Sequence, residues 1–307
     1  MFMSEFRSGF ACIVGRPNVG KSTLTNQLVG QKISIISKQP QTTRHAIRGI
    51  VHNEKGQIVL VDTPGIHKPK TLLGSKLNEL VKQTWSEVDV IIFCIPADQK
   101  IGPGDKFIAQ EIMKYSKKPK IGVLTKIDSV KQNLIAERLV ELDKLAKELK
   151  FEWEEIIPIS SQTGENLDNL IGLIIKYLPE GPELYPQEVI TDESIETMIS
   201  EYIREAALED LREELPHSLA VVVQKIETDE DRPADKPLMK IYAEIYVERD
   251  SQKGIIIGNK GSKLKEIGST SRKQIENLVG MKVYLDLQVK VALNWQTDQN
   301  QLTKLGF

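Results

Sequence analysis

Short apolar runs alternate with helical stripes through the first 177 residues. FACIVG (10–15), IRGIV (47–51), QIVLVD (57–62), DVIIFCI (89–95), KIGVLTK (120–126) and IIPIS (156–160) predict strands. Segments 21–30, 75–85, 105–116, 131–149 and 166–177 predict helices, with Leu77, Leu80 and Val81 spaced to share one helical face. Apolar strands alternating with helices imply an α/β fold, a mostly parallel sheet covered on both faces. The pattern stops near residue 178. LPEGPELYPQEVITD (178–192) carries Pro179, Pro182 and Pro186 without a helical period, which predicts a linker.

Beyond it, an acidic helix is predicted over about 193–214, with its glutamates on the surface. Strands are predicted near 218–227 and 238–248. Segment 255–280 reads as a strand end, a glycine turn and two helices, and 283–291 alternates like a half-buried strand. The order is α-β-β-α-α-β plus a tail, in which Trp295 and QLTKLGF are packing elements. The 307 residues suit two domains at roughly 150 residues each. We expect domains at 1–181 and 193–307, joined by a linker at 182–192.

Composition removes several classes. With 40% hydrophobic and 27% charged residues, disorder, collagen and fibrous coiled coil are excluded. Two cysteines, Cys12 and Cys94, cannot make a disulfide framework; both lie in apolar runs, as buried thiols do. There is no zinc-ligand spacing, and His45, His52, His67 and His217 show no partners. The opening MFMSEFRSGF lacks a signal-peptide run, and no stretch reaches the roughly 20 apolar residues of a membrane span. A cytoplasmic protein is expected.

The chemistry concentrates at predicted strand ends. Gly15-Arg16-Pro17-Asn18-Val19-Gly20-Lys21-Ser22 fits G-x-x-x-x-G-K-[ST] and stands between the first strand and the first helix. Glycines there let backbone N–H groups cradle phosphate oxygens, and the helix dipole favours anions. Lys21 is placed to reach the β- and γ-phosphates, and the Ser22 hydroxyl to ligate Mg²⁺. Asp62-Thr63-Pro64-Gly65 ends the third strand. Asp62 would hold Mg²⁺ through water, and the Gly65 N–H would sense the γ-phosphate. Gln41-Thr42-Thr43-Arg44 offers a threonine, Thr43, to the same metal. Lys126-Ile127-Asp128 follows the fifth strand; a carboxylate there accepts guanine N1–H and N2–H together, which adenine cannot offer. Ser160-Ser161 completes the base pocket.

In this order and spacing, the motifs resemble the P-loop GTPase superfamily. G-R-P-N-V-G-K-S-T (15–23), Q-T-T-R (41–44) and D-T-P-G (62–65) resemble its translation-factor-related members, in particular the Era family of bacterial GTPases. In that family a G domain precedes a smaller α+β RNA-binding domain of the type II KH kind. The resemblance covers essentially the whole chain. It implies GTP and GDP as ligands, Mg²⁺ as cofactor, Thr23 and Gln162 as further nucleotide contacts, and Lys21, Asn18, Thr43 and Gly65 as the residues serving hydrolysis. Two departures stand out. Thr125 replaces the asparagine of the usual N-K-x-D, which weakens the hold on guanine while Asp128 keeps specificity. The usual S-A pair is Ser160-Ser161.

Ile66 stands where Ras-like enzymes place a water-orienting glutamine, and the resembled family shares this replacement. Slow intrinsic turnover follows, so hydrolysis needs another helper. The resemblance suggests Asn18 as a ligand for K⁺; the alternatives are that Asn18 only forms the turn, or that a partner supplies an arginine.

Gly258-Asn259-Lys260-Gly261, after Ile257 and before Lys263, resembles the KH signature, whose glycine turn clamps a nucleic-acid backbone. Charge supports it: residues 251–290 sum to +5, with Arg272 and Lys273 among the bases, whereas residues 183–217 sum to −9. The whole-chain value of −2 conceals this contrast.

Taken together, the expectation is a monomeric GTP-driven switch that binds single-stranded RNA. Its switch segments, about 31–49 and 66–86, would order around Mg²⁺-GTP and alter how the two domains sit. By the resemblance, the RNA is the 3′ end of small-subunit ribosomal RNA, the setting is small-subunit assembly, and a peripheral contact with the inner membrane face is implied. The alternative is an RNA-binding assembly or checkpoint factor that uses GTP as a slow timer and acts on another RNA.

Overall fold

The computed structural model describes residues 6–37, 39, 42–66, 69–209, 218–229 and 237–307. Two compact units divide the chain: Met1–Lys68 with Lys76–Asp192, and Pro69–Ser75 with Glu193–Phe307.

The first unit carries β1 (Arg7–Val14), α1 (Lys21–Val29), β2 (Ile47–Asn53), β3 (Gly56–Asp62), most of α2 (Leu72–Glu87), β4 (Val90–Pro96), α3 (Pro103–Tyr115), β5 (Lys120–Thr125), α4 (Gln132–Leu149), β6 (Glu155–Pro158) and α5 (Leu167–Tyr177). The sheet order is β2-β3-β1-β4-β5-β6. All neighbours are parallel except β2, which runs antiparallel to β3. Alternation along the strands sorts residues to two cores. Ala11, Ile13, Leu60, Ile92, Cys94 and Val123 pack with Leu24 and Ile174 on one face. Cys12, Val14, Val61, Ile91 and Phe93 pack with Trp85, Ile108 and Leu142 on the other. The strands are buried on both faces, which explains why they read as continuous apolar runs. Cys12 and Cys94 therefore lie on opposite faces of the sheet, and burial pushes both thiols up to about 12.

Residues 182–192 have no helix, yet they are not loose. The Ile50 N–H donates to Ile190 O at 2.9 Å, and Gly49 pairs with Thr191 in an isolated bridge. The Thr191 hydroxyl donates to Arg48 O, and Arg48 pairs with Asp192 at 3.1 Å. Behind them, fully buried Gln57 accepts from the Leu184 and Tyr185 N–H groups at 2.7 and 2.9 Å and donates to Tyr185 O at 2.7 Å. His52, read in the sequence as unpartnered, sits in the same network: its Nε2 lies 2.8 Å from Val189 O and its Nδ1 3.2 Å from Gln57 Nε2. His67 and His217 lie outside the described residues.

The second unit holds α6 (Ile195–Leu208), β7 (Ala220–Thr228), β8 (Leu238–Val247), α7 (Asp250–Ile257), α8 (Ser262–Val279), β9 (Lys282–Val291) and α9 (Gln299–Lys304). β8 is central, antiparallel to β7 and parallel to β9. Helices α6, α7 and α8 pack against this sheet, and Ile241, Ala243 and Ile245 alternate inward from β8. The α-β-β-α-α-β order stands, with two local corrections. Ile255, Ile256 and Ile257 are the last turn of helix α7, not a strand end. After the glycine turn comes one continuous helix, α8, so the turn separates the two helices instead of preceding both. The acidic helix also differs from expectation. It is described to Leu208, and 210–217 lie outside the described residues. Glu201 is not on its surface but 4% exposed, paired with equally buried Arg204 at 2.8 Å, because a carboxylate leaves water only with a partner. Trp295 does pack: it is fully buried, donates to Ser218 O at 2.9 Å and stacks on Phe307.

Replacing Gln57 by leucine keeps the volume but strands two N–H groups and one carbonyl of residues 184–185. Unpaired polar groups cost about 1–3 kcal/mol each when buried; with residue 184 partly exposed, a loss of about 2–4 kcal/mol is expected. Chemical denaturation of the full chain measures it.

Candidate functional site

The carboxyl ends of β1, β3, β4, β5 and β6 converge on one edge of the parallel sheet, where such sheets bind ligands. Residues 15–20 leave β1 there and enter α1. The loop turns through positive φ at Gly15 (150°), Asn18 (64°) and Gly20 (100°). A Cβ on Gly15 would lie 2.6 Å from Cys94 O and 2.9 Å from Val19 Cγ2, so that position excludes any side chain. Val19 is buried beneath the loop, while Asn18 is exposed at its tip. Lys21 folds inward and donates to Gly15 O at 3.1 Å and Arg16 O at 3.0 Å. Burial lowers its pKa, partly offset by the Asp62 charge. Arg16 turns its side chain to Asp105, Nε to Oδ1 at 2.7 Å. Thr23 lies partly exposed in the first turn of α1.

Asp62, at the end of β3, is fully buried, and among the described residues no donor stands within hydrogen-bond distance of either carboxylate oxygen. Burial raises its pKa, against the pull of Lys21 and of the nearby Ser22, Ser34 and Thr43 hydroxyls. Ser22 Oγ and Thr43 Oγ1 stand 3.3 Å apart. An unpaired buried carboxylate beside two hydroxyls is an all-oxygen donor set of the kind a hard divalent cation requires. The residues fit Mg²⁺: Ser22 and Thr43 could supply hydroxyl ligands, with Asp62 behind them. Gly65 lies against the phosphate loop; a Cβ there would meet Pro17 at 3.5 Å. Ile66 is 7% exposed and packed into the core on the α2 side. It cannot orient a water molecule, in position as well as in chemistry. Gln41 lies outside the described residues.

On the base side, Ser160 Oγ donates to Asp128 Oδ1 at 2.6 Å and accepts from the Gln162 and Thr163 N–H groups at 3.2 and 3.1 Å. This chain of bonds aims the Asp128 carboxylate. Ser161 is partly exposed within the same turn, and Gln162 exposed. Lys126 adopts a left-handed backbone (φ 58°), and its ammonium stands 3.7 Å from Asp98. Thr125 explains itself: its hydroxyl donates to Val19 O at 2.7 Å, tying β5 to the phosphate loop. A threonine is long enough for that task. Sequence reasoning missed Asp98 and Asp105. Asp98 was within reach, being two residues past the end of β4; Asp105 carried only the signal of an acidic residue in a helix's first turn.

In the second unit, Gly258 takes φ 71° and ψ −179°, a region closed to side chains. A Cβ there would lie 2.7 Å from Lys263 Cβ and 2.9 Å from Lys263 N. Asn259 and Lys260 stand exposed at the tip, and Gly261 (φ 79°) caps α8. Arg272 and Lys273 are exposed further along α8, and Ile257 is partly buried at the end of α7. The structure thus gathers residues 15–23, 43, 62–65, 125–128 and 160–162 in the first unit and 257–263 in the second, while Arg272 and Lys273 lie further along α8, with Arg272 on the opposite helix face from Lys263.

A strand-loop-helix phosphate cradle, a buried metal-type carboxylate and a base-side aspartate define a P-loop GTPase, here followed by a KH fold. Comparison with known proteins agrees. A family of 50S ribosome-binding GTPases matches residues 10–126, and the KH domain matches residues 214–296. GTPase Era of Streptomyces coelicolor is 58% identical over 98% of this chain and 95% of its own. GTPase Era of Mycolicibacterium smegmatis is 57% identical over 99% and 100%. Among solved structures, an Aquifex aeolicus Era variant bound to GDP·AlF₄⁻ superposes with a TM-score of 0.91 at 41% identity, covering 98% of this chain and 99% of that one. An Era bound to MgGDPNP and nucleotides 1506–1542 of 16S ribosomal RNA does so with the same score, identity and coverage. The chain belongs to the Era family and is a GTPase.

The unpaired Asp62 charge weakens the nucleotide-free fold. Its folded-state pKa is raised, so its contribution to stability is fully present below the ordinary carboxylate range and is lost as pH rises through the raised value. Asp62→Asn is expected to stabilise the nucleotide-free protein by about 1–2 kcal/mol at neutral pH, with a smaller gain at pH 5. It should weaken Mg²⁺-dependent nucleotide binding. Thermal melts at both pH values, with and without Mg²⁺-GDP, measure this.

Proposed function

We propose that this GTPase binds its nucleotide through residues 15–23, 62–65, 125–128 and 160–162. We propose further that its second domain clamps single-stranded RNA at 257–263, aided by Arg272 and Lys273. The observation that carries the nucleotide reading is Asp62: a fully buried carboxylate with no partner at hydrogen-bond distance among the described residues, beside the Ser22 and Thr43 hydroxyls. Mg²⁺ bound there would neutralise phosphate charge. Lys21 would exchange the Gly15 and Arg16 carbonyls for phosphate oxygens. Asp128, aimed by Ser160, would accept from the guanine edge, and Lys126 would lie across the purine. With Ile66 buried, nothing at that position orients water, so intrinsic turnover is slow and a helper is needed. K⁺ held by Asn18 is that helper in this reading, with an arginine from a partner as the alternative.

For the RNA, the support is the relative solved with 16S ribosomal RNA and the exposed Asn259-Lys260 tip between two glycines. The reading is that the chain binds the 3′ end of small-subunit ribosomal RNA during small-subunit assembly, as a cytoplasmic monomer. Among the described residues no helix is long and apolar enough to cross a membrane, so a contact with the inner membrane face would be peripheral. The buried Ile66 also favours a second reading, an assembly checkpoint with GTP as a slow timer acting on another RNA. Single-turnover hydrolysis with and without RNA separates the two.

Two outcomes are expected. GTP turnover should be several-fold faster in K⁺ than in Na⁺ at matched ionic strength, and Asn18→Ala should abolish that difference; equal rates remove the cation. Gly261→Asp, where a side chain meets open space, and Gly258→Asp, where it collides with Lys263, should each reduce RNA affinity at least tenfold while GTP binding stays intact. Unchanged RNA affinity in a filter-binding assay overturns the KH reading.

A further inference from the structure

The phosphate loop is held in sparsely populated backbone conformations at Gly15, Asn18 and Gly20. Such geometry persists only where the surroundings over-determine it. Inside the loop, one restraint is Lys21 donating to the carbonyls of Gly15 and Arg16. That restraint is lost when the ammonium turns to phosphate, which leaves the loop to external holds, the Thr125 bond to Val19 O among them. Arg16 supplies an external hold. Its Nε donates to Asp105 Oδ1 at 2.7 Å, and the Asp105 side chain is fully buried in the first turn of α3. The other carboxylate oxygen accepts from the Gly102 N–H at 2.8 Å, which fixes Asp105 to the helix start. The fit is close: a Cβ on Gly104 would stand 2.8 Å from Arg16 Cδ. The pair is not tuned for stability alone, because Arg16 Nη2 is buried without a partner among the described residues, an arrangement that costs free energy.

We propose that Asp105 is a positioning residue for nucleotide binding. Through Arg16 it clamps the phosphate loop to α3, keeping the N–H groups aimed inward when Lys21 leaves the loop carbonyls for phosphate. Asp105 itself touches no nucleotide. The inference rests on residues 15–22 being the phosphate loop.

Asp105→Asn tests it with little disturbance, since the amide oxygen still accepts from the Gly102 N–H while the amide NH₂ cannot pair with guanidinium. With the full chain, GDP and GTP dissociation constants and the dissociation rate of a fluorescent GDP are measured for wild type, Asp105→Asn, Arg16→Gln and the double variant. The expected result is a roughly tenfold rise in both dissociation constants, carried by faster release. The double variant should be no weaker than either single, as for two halves of one clamp. The single-turnover hydrolysis rate of GTP prebound to Asp105→Asn should change less than threefold. A merely structural role would lower the melting temperature without moving the dissociation constant of the folded protein; that outcome, or additive effects in the double variant, overturns the clamp. Lys21→Ala is the reference for the loop itself. If it binds GDP as wild type does, the loop assignment falls and the clamp with it. If it loses GDP while Asp105→Asn binds normally, the clamp alone falls.

Discussion

A phosphate cradle requires consecutive backbone N–H groups to point at one spot, and a chain of L-residues resists that arrangement. Every other feature of the nucleotide domain answers this constraint. β1 is buried on both faces and flanked by β3 and β4, so the loop leaves from an interior strand of the sheet. Gly15 permits a close pass beneath Cys94 that any side chain would block. Thr125 reaches across from β5 to hold Val19 O, and Arg16 reaches out to α3. The loop is tethered from three directions: strand, base pocket and helix.

The same domain leaves one charge unresolved. Asp62 is fully buried with no donor at hydrogen-bond distance among the described residues, whereas Glu201, also buried, in the other unit, has its own arginine. The contrast separates two uses of a buried carboxylate. Glu201 completes a structure; Asp62 stays open to the cation proposed above. Stability is given up where binding is gained, as is common at functional sites.

Much of this was legible in the sequence, for identifiable reasons. The strands of the parallel sheet were plain because burial on both faces leaves unbroken apolar runs, and the phosphate loop because its chemistry fixes residue types at fixed spacing. The glycine turn at 258–261 was readable for the same reason. The helix before it was not, because Ile255, Ile256 and Ile257 are β-branched and resemble a strand, while in the fold they end α7, a helix that packs on β8 and β9 with Ile256 buried and Ile255 exposed. Glu201 was misplaced because a helix pattern does not reveal that an arginine three residues on follows it into the core. The Arg16–Asp105 and Lys126–Asp98 pairs join residues 89 and 28 positions apart. No local pattern announces such contacts; only the sheet order brings them together.

The proline-bearing segment at 182–192 bears on where this molecule ends as a folding unit. β2 is an edge strand, and an open edge offers unpaired N–H and C=O groups to any passing strand. Here Ile190, Thr191 and Asp192 lie along that edge, anchored from behind by Gln57. What reads as a tether between domains is also the hem of the first one. A nucleotide domain cut at residue 181, where its last helix has already finished, would keep its site and lose its selvage, inviting self-association through β2. Cut after 192, it would carry its own border with it.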